Sequence, residues 1–302
     1  MIDKLINDIK GLVKNFRKAY QFLKDVKKIY EDEFKGNDGI VMLPKEGRYL
    51  IVGDLHGDFN SLTLILEQVD LKNFIDSGGK VIFLGDYIDR GPMQPHVILT
   101  VFMLKTLYPE SIITLRGNHE PPKWLMPYPH DFPDVLKMVY GATEGTVLYS
   151  SFFEIFQKMP YAALIRENAL LVHGGPPTVN IEKSKDLITY INVVKSPYSK
   201  KILEEILWND PIEADVIAYP SPRGAGFLFG RRTTRLALNI LKVNMIIRAH
   251  EPVDGIRFSH NGRVVTVFSM KGYYFNRYGA YIDLNTGDPE WLSKFESMVH
   301  YY

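Results

Sequence analysis

The sequence predicts an α/β protein: a parallel sheet in the first half, a second sheet packed on it, and an amphipathic helical segment in front. Three observations carry that expectation. Between residues 49 and 115, apolar runs of strand length alternate with stretches of helical period. The polar residues that close those runs recur at equal intervals. The second half of the chain is strand-rich and carries a hairpin signal.

From Ile2 to Tyr30 the apolar residues Leu5, Ile9, Val13, Phe16, Tyr20, Leu23 and Val26 keep helical spacing, as one long helix or as two separated near Gly11 or Tyr20. The stripe is expected to pack on the main body, since its cations are partly balanced by Asp and Glu, unlike those of a membrane-surface helix. A GNDG turn near residue 36 closes this segment, which sets residues 1–38 apart from a main domain of residues 39–302. YLIVGD (49–54) then reads as a strand, 60–71 as a helix, KVIFLGD (80–86) as a strand, 95–108 as a helix and SIITL (111–115) as a strand. That order, β-α-β-α-β, calls for buried parallel strands whose carboxyl ends gather ligands. Five prolines in PPKWLMPYPHDFP (121–133) forbid a regular helix or central strand, so this run is expected to be a loop. EGTVLYSSFFEIFQKM reads as a helix, YAALIRENALLVHGG as two strands joined at Glu167 and Asn168, RRTTRLALNILK (231–242) as a helix, and NMIIRAHEP as a buried strand. RFSHNGRVVTVFS carries Asn-Gly between alternating residues, a hairpin.

Composition narrows the function. With 302 residues and 46% hydrophobic content the chain can bury a large core. Lys and Arg total 36 against 35 Asp and Glu, so the net charge of +1 gives no overall field for nucleic acid or acidic lipid, and neither is expected as a partner. The absence of Cys excludes disulfides, thiolate zinc sites and a cysteine nucleophile. Charges every few positions in the first residues, and no apolar run of spanning length, argue against a signal peptide or membrane span and for a cytoplasmic protein.

Each of the first three parallel strands ends in polar residues: GDLHGD (53–58), GDYIDRG (85–91) and RGNHE (116–120). Asp54, Asp86 and Asn118 are spaced 32 residues apart, about one β-α-β unit, so Asp54, His56, Asp86, Asp89, Asn118 and His119 should meet along one sheet edge. Later strands add His173 and His250. Carboxylates, imidazoles and an amide crowded together without a lysine call for divalent metal, and the number of ligands fits two ions sharing Asp86. Such a pair activates water to hydroxide and clamps a phosphoryl oxygen, the arrangement for direct hydrolysis of a phosphate ester. His96, His130, His260 and His300 are expected to be ordinary structural or solvent-exposed histidines.

GDLHGD, GDYIDRG and RGNHE, followed by VHGG, RAH, LWNDP (207–211) and PRGAGFLFG (222–230), resemble the PPP family of serine/threonine protein phosphatases within the calcineurin-like metallophosphoesterases, over roughly residues 48–283. The resemblance implies two packed mixed β-sheets flanked by helices in αββα layers, and phosphorylated proteins as substrates. It implies that Asp54, His56 and Asp86 hold one metal and Asp86, Asn118, His173 and His250 the other. His119 would be the general acid with Asp89 orienting it, Arg90 and Arg223 would grip the phosphate together with Asn118, and Tyr273 would border the substrate groove. Manganese suits activity in vitro, with iron or zinc as alternatives.

The chain departs from the family at SMKGYYF (269–275), where SAPNYCG is common, and in the proline-rich run after RGNHE. Trp124, Tyr128, Tyr273 and Tyr274 could stack on a base, so a hydrolase of dinucleoside polyphosphates or other small phosphoesters is the alternative. An inactive scaffold using the N-terminal helix is a third reading, against which stands the retention of every ligand.

Overall fold

The computed structural model describes residues 2–33, 39–193 and 196–302. Helices α1 (Ile2–Val13) and α2 (Phe16–Glu33) form the N-terminal segment. The break between them falls at Lys14 and Asn15, neither of the positions the periodicity offered. The Asn15 side chain accepts the Lys18 N–H at 3.0 Å, so a capping residue starts the second helix. Of the expected GNDG turn, residues 36–38 lie outside the described residues.

Next come β1 (Ile40–Leu43), β2 (Arg48–Val52), α3 (Phe59–Gln68), α4 (Leu71–Asp76), β3 (Lys80–Phe83), α5 (Gln94–Leu107) and β4 (Ile112–Thr114). Strands β2, β3 and β4 are parallel neighbours, with Ile51 opposite Ile82 and Ile82 opposite Ile113. The proline-rich loop ends earlier than its last proline: α6 (Phe132–Tyr140) begins there with Pro133 in its first turn, where a missing N–H costs nothing. Then follow α7 (Ala142–Phe156), the antiparallel pair β5 (Ala162–Ile165) and β6 (Ala169–Val172), and helices α8 (Leu187–Ile191) and α9 (Ser199–Trp208). A small sheet of β7 (Asp210–Pro211), β8 (Ala218–Pro220) and β9 (Phe227–Phe229) precedes α10 (Arg231–Leu241) and β10 (Met245–Arg248). The Asn-Gly hairpin pairs β11 (Ile256–Ser259) with β12 (Val264–Val267), and β13 (Ala280–Asn285) and β14 (Val299–Tyr301) end the chain.

Two mixed sheets result, ordered β14-β13-β2-β3-β4 and β1-β5-β6-β10-β12-β11. Alternation along each strand decides the layers. Tyr49, Ile51, Ile82 and Ile113 of the first sheet face Ala163, Leu171, Ile247 and Val265 of the second in one core. The intervening residues Leu50, Val52, Val81 and Phe83 pack outward against α1, α2, α3, α5 and α7, while Leu164, Leu170 and Ile246 pack on the other outer face with Ala237 and Leu241 of α10. The layers are therefore helix, sheet, sheet, helix.

The N-terminal stripe joins the first outer core: Ile9 and Val26 are fully buried, and the Tyr30 hydroxyl is hydrogen-bonded to Thr114 of β4. Beyond their ends the two sheets touch where Asp54 bridges Phe268. A Cβ at Gly53 would stand 2.2 Å from the Val267 carbonyl oxygen, so only glycine lets the two backbones approach there. Among the described residues no helix is long and apolar enough to cross a membrane.

Candidate active site

The carboxyl ends of β2, β3, β4, β6 and β10 converge on one buried cluster, and each strand is followed by a residue that turns a polar side chain inward. Asp54, His56, Asp86, Asn118, His119, His173 and His250 are all buried. The backbone pays for this convergence in conformation: His56 (φ 43°), Asp86 (56°), Asp89 (63°), Arg90 (76°) and His250 (69°) all hold left-handed backbone, which disfavours residues with a Cβ. Gly117 solves the problem posed by the adjacent Asn118 and His119. A Cβ there would lie 2.2 Å from Asp86 Oδ1, and the turn it permits sends Asn118 toward His173 and His250 and His119 toward Asp89.

Asp86 sits at the centre. Its Oδ2 is 3.4 Å from His56 Nε2 and 3.3 Å from His173 Nε2, and it belongs to two groups of convergent ligand atoms, one with His56 and His119, the other with His173 and His250. His56 Nδ1 donates to the Ile88 carbonyl at 2.8 Å and His173 Nδ1 to the Leu84 carbonyl at 3.0 Å, which fixes both tautomers and leaves both Nε2 lone pairs facing inward. Asn118 Oδ1 lies 2.8 Å from His173 Nε2 and 2.9 Å from His250 Nδ1. Asp54 closes the group at 4.0 Å from His56 Nε2 and 3.9 Å from His173 Nδ1.

The donor set fits divalent metal. Asp54 Oδ2 is buried without a hydrogen-bond partner, a costly condition unless a cation completes it. Burial, then the charge of Asp86, pushes the Asp54 carboxyl up to about 7, and burial pushes His56 down to about 4 and His250 well below the usual imidazole range. Asp86 is the exception: although burial opposes it, His173 and His119 hold its carboxyl well below the usual carboxylate range, which leaves a charged oxygen at the centre of the cluster.

Beside the cluster, His119 Nδ1 and Asp89 Oδ2 are 2.5 Å apart. Burial works against the Asp89 charge, but hydrogen bonds from His119 and His130 hold its carboxyl well below the usual range. For His119 burial lowers and Asp86 and Asp89 raise, with a net upward shift. Arg90 lines the cavity with its Nε buried and unpartnered, and Arg223 lines it with its Nε on Asp210 Oδ2 at 2.5 Å. Asp210 is held in turn by the fully buried Arg248 at 2.8 Å.

Residues 47–254 match the calcineurin-like phosphoesterase family. The chain belongs to that family. It is similar to serine/threonine-protein phosphatase 6 catalytic subunit of Drosophila melanogaster, 32% identical over 78% of this chain and 74% of that one. It is also similar to serine/threonine-protein phosphatase 5 of Solanum lycopersicum, 30% identical over 95% of this chain and 50% of that one. Among solved structures, a serine/threonine phosphatase from Saccharomyces cerevisiae described as similar to human phosphatase PP5 superposes with a TM-score of 0.69, at 25% identity over 90% of this chain and 83% of that one. The chain spans 62%, 57% and 50% of the length of three of its curated relatives.

In this calcineurin-like phosphoesterase the cluster floors a cavity of about 310 Å³ whose walls are Pro127, Tyr128, Trp208, Phe268 and Tyr274. Tyr273, expected at the groove, is 43% exposed and meets Tyr274 edge-on, and Tyr274 is the one that lines the cavity. The chain bends through residues 272–275, with left-handed backbone at Gly272 (φ 78°) and Phe275 (62°), and it is Tyr274 that this bend brings to the cavity. His130 is a second correction: its Nδ1 lies 2.7 Å from Asp89 Oδ2, inside the site. Of the other histidines set aside, His260 is buried against Thr234 and the Ile212 carbonyl, and His300 stacks on Tyr281. Glu120, quoted only as the end of a motif, accepts the N–H groups of Asp86, Tyr87 and Gly117 and so ties two strand ends together. Its place within RGNHE was the available signal.

Proposed function

We propose that the protein is a metal-dependent phosphoprotein phosphatase that hydrolyses phosphoserine and phosphothreonine esters, with residues 39–302 as its catalytic domain and residues 1–38 as a helical segment docked on it. The observation that carries the reading is Asp86 shared between two groups of ligand atoms, with the His119–Asp89 pair beside them. In this reading Asp54, His56 and Asp86 hold one ion and Asp86, Asn118, His173 and His250 the other. Two divalent ions, manganese in vitro or else iron or zinc, would supply water of lowered pKa and neutralise phosphoryl charge.

The rest falls to side chains of this chain. Arg90 and Arg223, both on the cavity wall, receive the phosphate oxygens through their planar forks, with Asn118 beside them. A water oxygen bonds to phosphorus as the ester P–O bond breaks, and the departing oxygen takes the proton of His119 Nε2; the proton released by the water restores His119. Asp89 fixes the His119 ring by accepting its Nδ1–H. The names of the chain's relatives support a phosphoprotein substrate. A cytoplasmic location accords with such substrates.

The test strips metal with chelator, restores manganese, and compares a phosphoserine peptide, a phosphotyrosine peptide and a dinucleoside tetraphosphate. Turnover of the phosphoserine peptide restored by manganese, with little nucleotide cleavage, is expected. Cleavage of the nucleotide alone would move the protein to small phosphoesters, for which the aromatic cavity walls would be the recognition surface. No cleavage with either manganese or zinc would end the enzyme reading.

A further inference from the structure

Asp89 is the end point of a construction that the proposed roles leave unexplained. Its Oδ1 accepts the N–H of Phe132 at 2.9 Å, and its Oδ2 accepts from His119 Nδ1 and also from His130 Nδ1, at 2.5 and 2.7 Å. The far nitrogen of His130, Nε2, is 2.9 Å from the Tyr149 hydroxyl on α7. One neutral tautomer satisfies every contact: Tyr149 donates to Nε2, and Nδ1–H donates to Asp89. His130 and Phe132 both come from the end of the proline-rich stretch, and between them Asp131 accepts the Arg90 N–H at 3.1 Å and the Gln94 amide at 3.0 Å. The stretch is therefore stitched to the Asp89–Gln94 turn residue by residue.

From this geometry we propose that His130, braced by Tyr149, is a positioning residue for the general acid, holding Asp89 so that His119 presents Nε2 to the leaving oxygen. The inference rests on the phosphatase reading. Asp89, His119 and His130 also form a group with metal-ligand geometry at first sight. Their spacing argues otherwise: two donors on one ion at roughly 2.1 Å stand about 3 Å apart, as His56 and His173 do from Asp86 at 3.4 and 3.3 Å and as Asn118 nearly does from His173 and His250 at 2.8 and 2.9 Å. The Asp89 contacts at 2.5 and 2.7 Å leave room for a proton and not for an ion. His130 is thereby placed on a wholly buried carboxylate, its own side chain 8% exposed.

Leaving-group dependence separates positioning from general support. A serine alkoxide needs a proton to depart, whereas a nitrophenolate does not, so an effect routed through His119 should appear with one ester and fade with the other. The experiment measures kcat and KM of the manganese-loaded full chain on a phosphoserine peptide and on p-nitrophenyl phosphate, for the wild type, His130→Ala, His130→Asn and Tyr149→Phe. His130→Ala should lose about tenfold or more in kcat on the peptide and less than about threefold on the aryl ester, with KM little changed. His130→Asn, whose amide N–H stands near the Nδ1 position, should recover part of the loss, and Tyr149→Phe should show the same split more weakly. Metal content should be unchanged throughout. Equal losses on both esters, no loss on the peptide, or a fall in bound metal would each overturn the inference while leaving a wild-type phosphatase intact. A wild type that cleaves neither ester would remove the phosphatase reading itself, and this inference with it.

Discussion

Replacing Glu120 by alanine should loosen the backbone that carries Asp86 and weaken metal binding without touching a ligand. Glu120 is fully buried, and its carboxylate accepts the N–H groups of Asp86 and Tyr87 at 2.9 Å and of Gly117 at 3.0 Å. Glu120→Ala strips all three acceptors at once. A buried unsatisfied donor costs about 1–3 kcal/mol, so three of them set a scale of about 3–9 kcal/mol before relaxation. Two effects reduce it. The cavity left by the side chain can admit a water, which would satisfy one or two donors. The carboxylate is itself reluctant to ionise, since burial and then Asp86 push it up to about 7, and its removal relieves that repulsion. A net loss of about 2–4 kcal/mol is expected, read by urea unfolding at pH 7 in chelator. Calorimetric titration with manganese should show weaker binding in the variant, because the left-handed turn at Asp86 is no longer held. A loss below about 1 kcal/mol, or full loss of stability with unchanged metal affinity, would refute the reasoning.

Three other outcomes follow from the structure. His119→Asn should reduce peptide turnover by about 10²–10⁴-fold while elemental analysis finds the metal content unchanged; loss of metal would make His119 a ligand. Leu23→Ala, in the α2 stripe that joins the main core, should cost about 2–5 kcal/mol in urea unfolding, and a value near zero would mean that the helix is only loosely docked. Glu205 is buried with Oε1 unpartnered, and burial raises its pKa in the folded state against the opposing pull of Thr178. Its contribution is therefore present at low pH and lost as pH rises from the unfolded carboxyl value through the folded one. Glu205→Gln should accordingly gain on the wild type between pH 4 and pH 8, at about the same metal content; a difference that stays flat or falls would show that Glu205 is comfortably ionised.

The parallel strands were legible because β2, β3 and β4 are buried on both faces and so write continuous apolar runs, and because each is followed by a turn of polar residues. The buried cluster was legible for the same reason: Asp54, Asp86 and Asn118 follow strand ends at regular spacing. Elements without that pattern were not. Strands β8 and β9 are three residues each and partly exposed, too short for any period to register. Helix α6 hid behind Pro133, which opens the helix although prolines usually end one. His130 gave no local sign, since its partner Asp89 lies 41 residues upstream and only the folded loop brings them together. Which of Tyr273 and Tyr274 lines the cavity was not legible, because a remodelled loop offers no repeat from which to read direction.

The left-handed conformations at His56, Asp86, Asp89, Arg90 and His250 bear on how this protein would respond to laboratory evolution. Glycine adopts those angles without a Cβ clash and would also dismiss the crowded charges. A library sorted only for survival on heating should therefore collect glycine codons where the side chain holds nothing else in place, and not at Asp89 or Asp86, whose carboxylates accept buried N–H groups of Phe132, His130 and His119. Selection for durability and selection for turnover pull in opposite directions at the remaining positions, and a second sort for hydrolysis would empty the first sort of its winners.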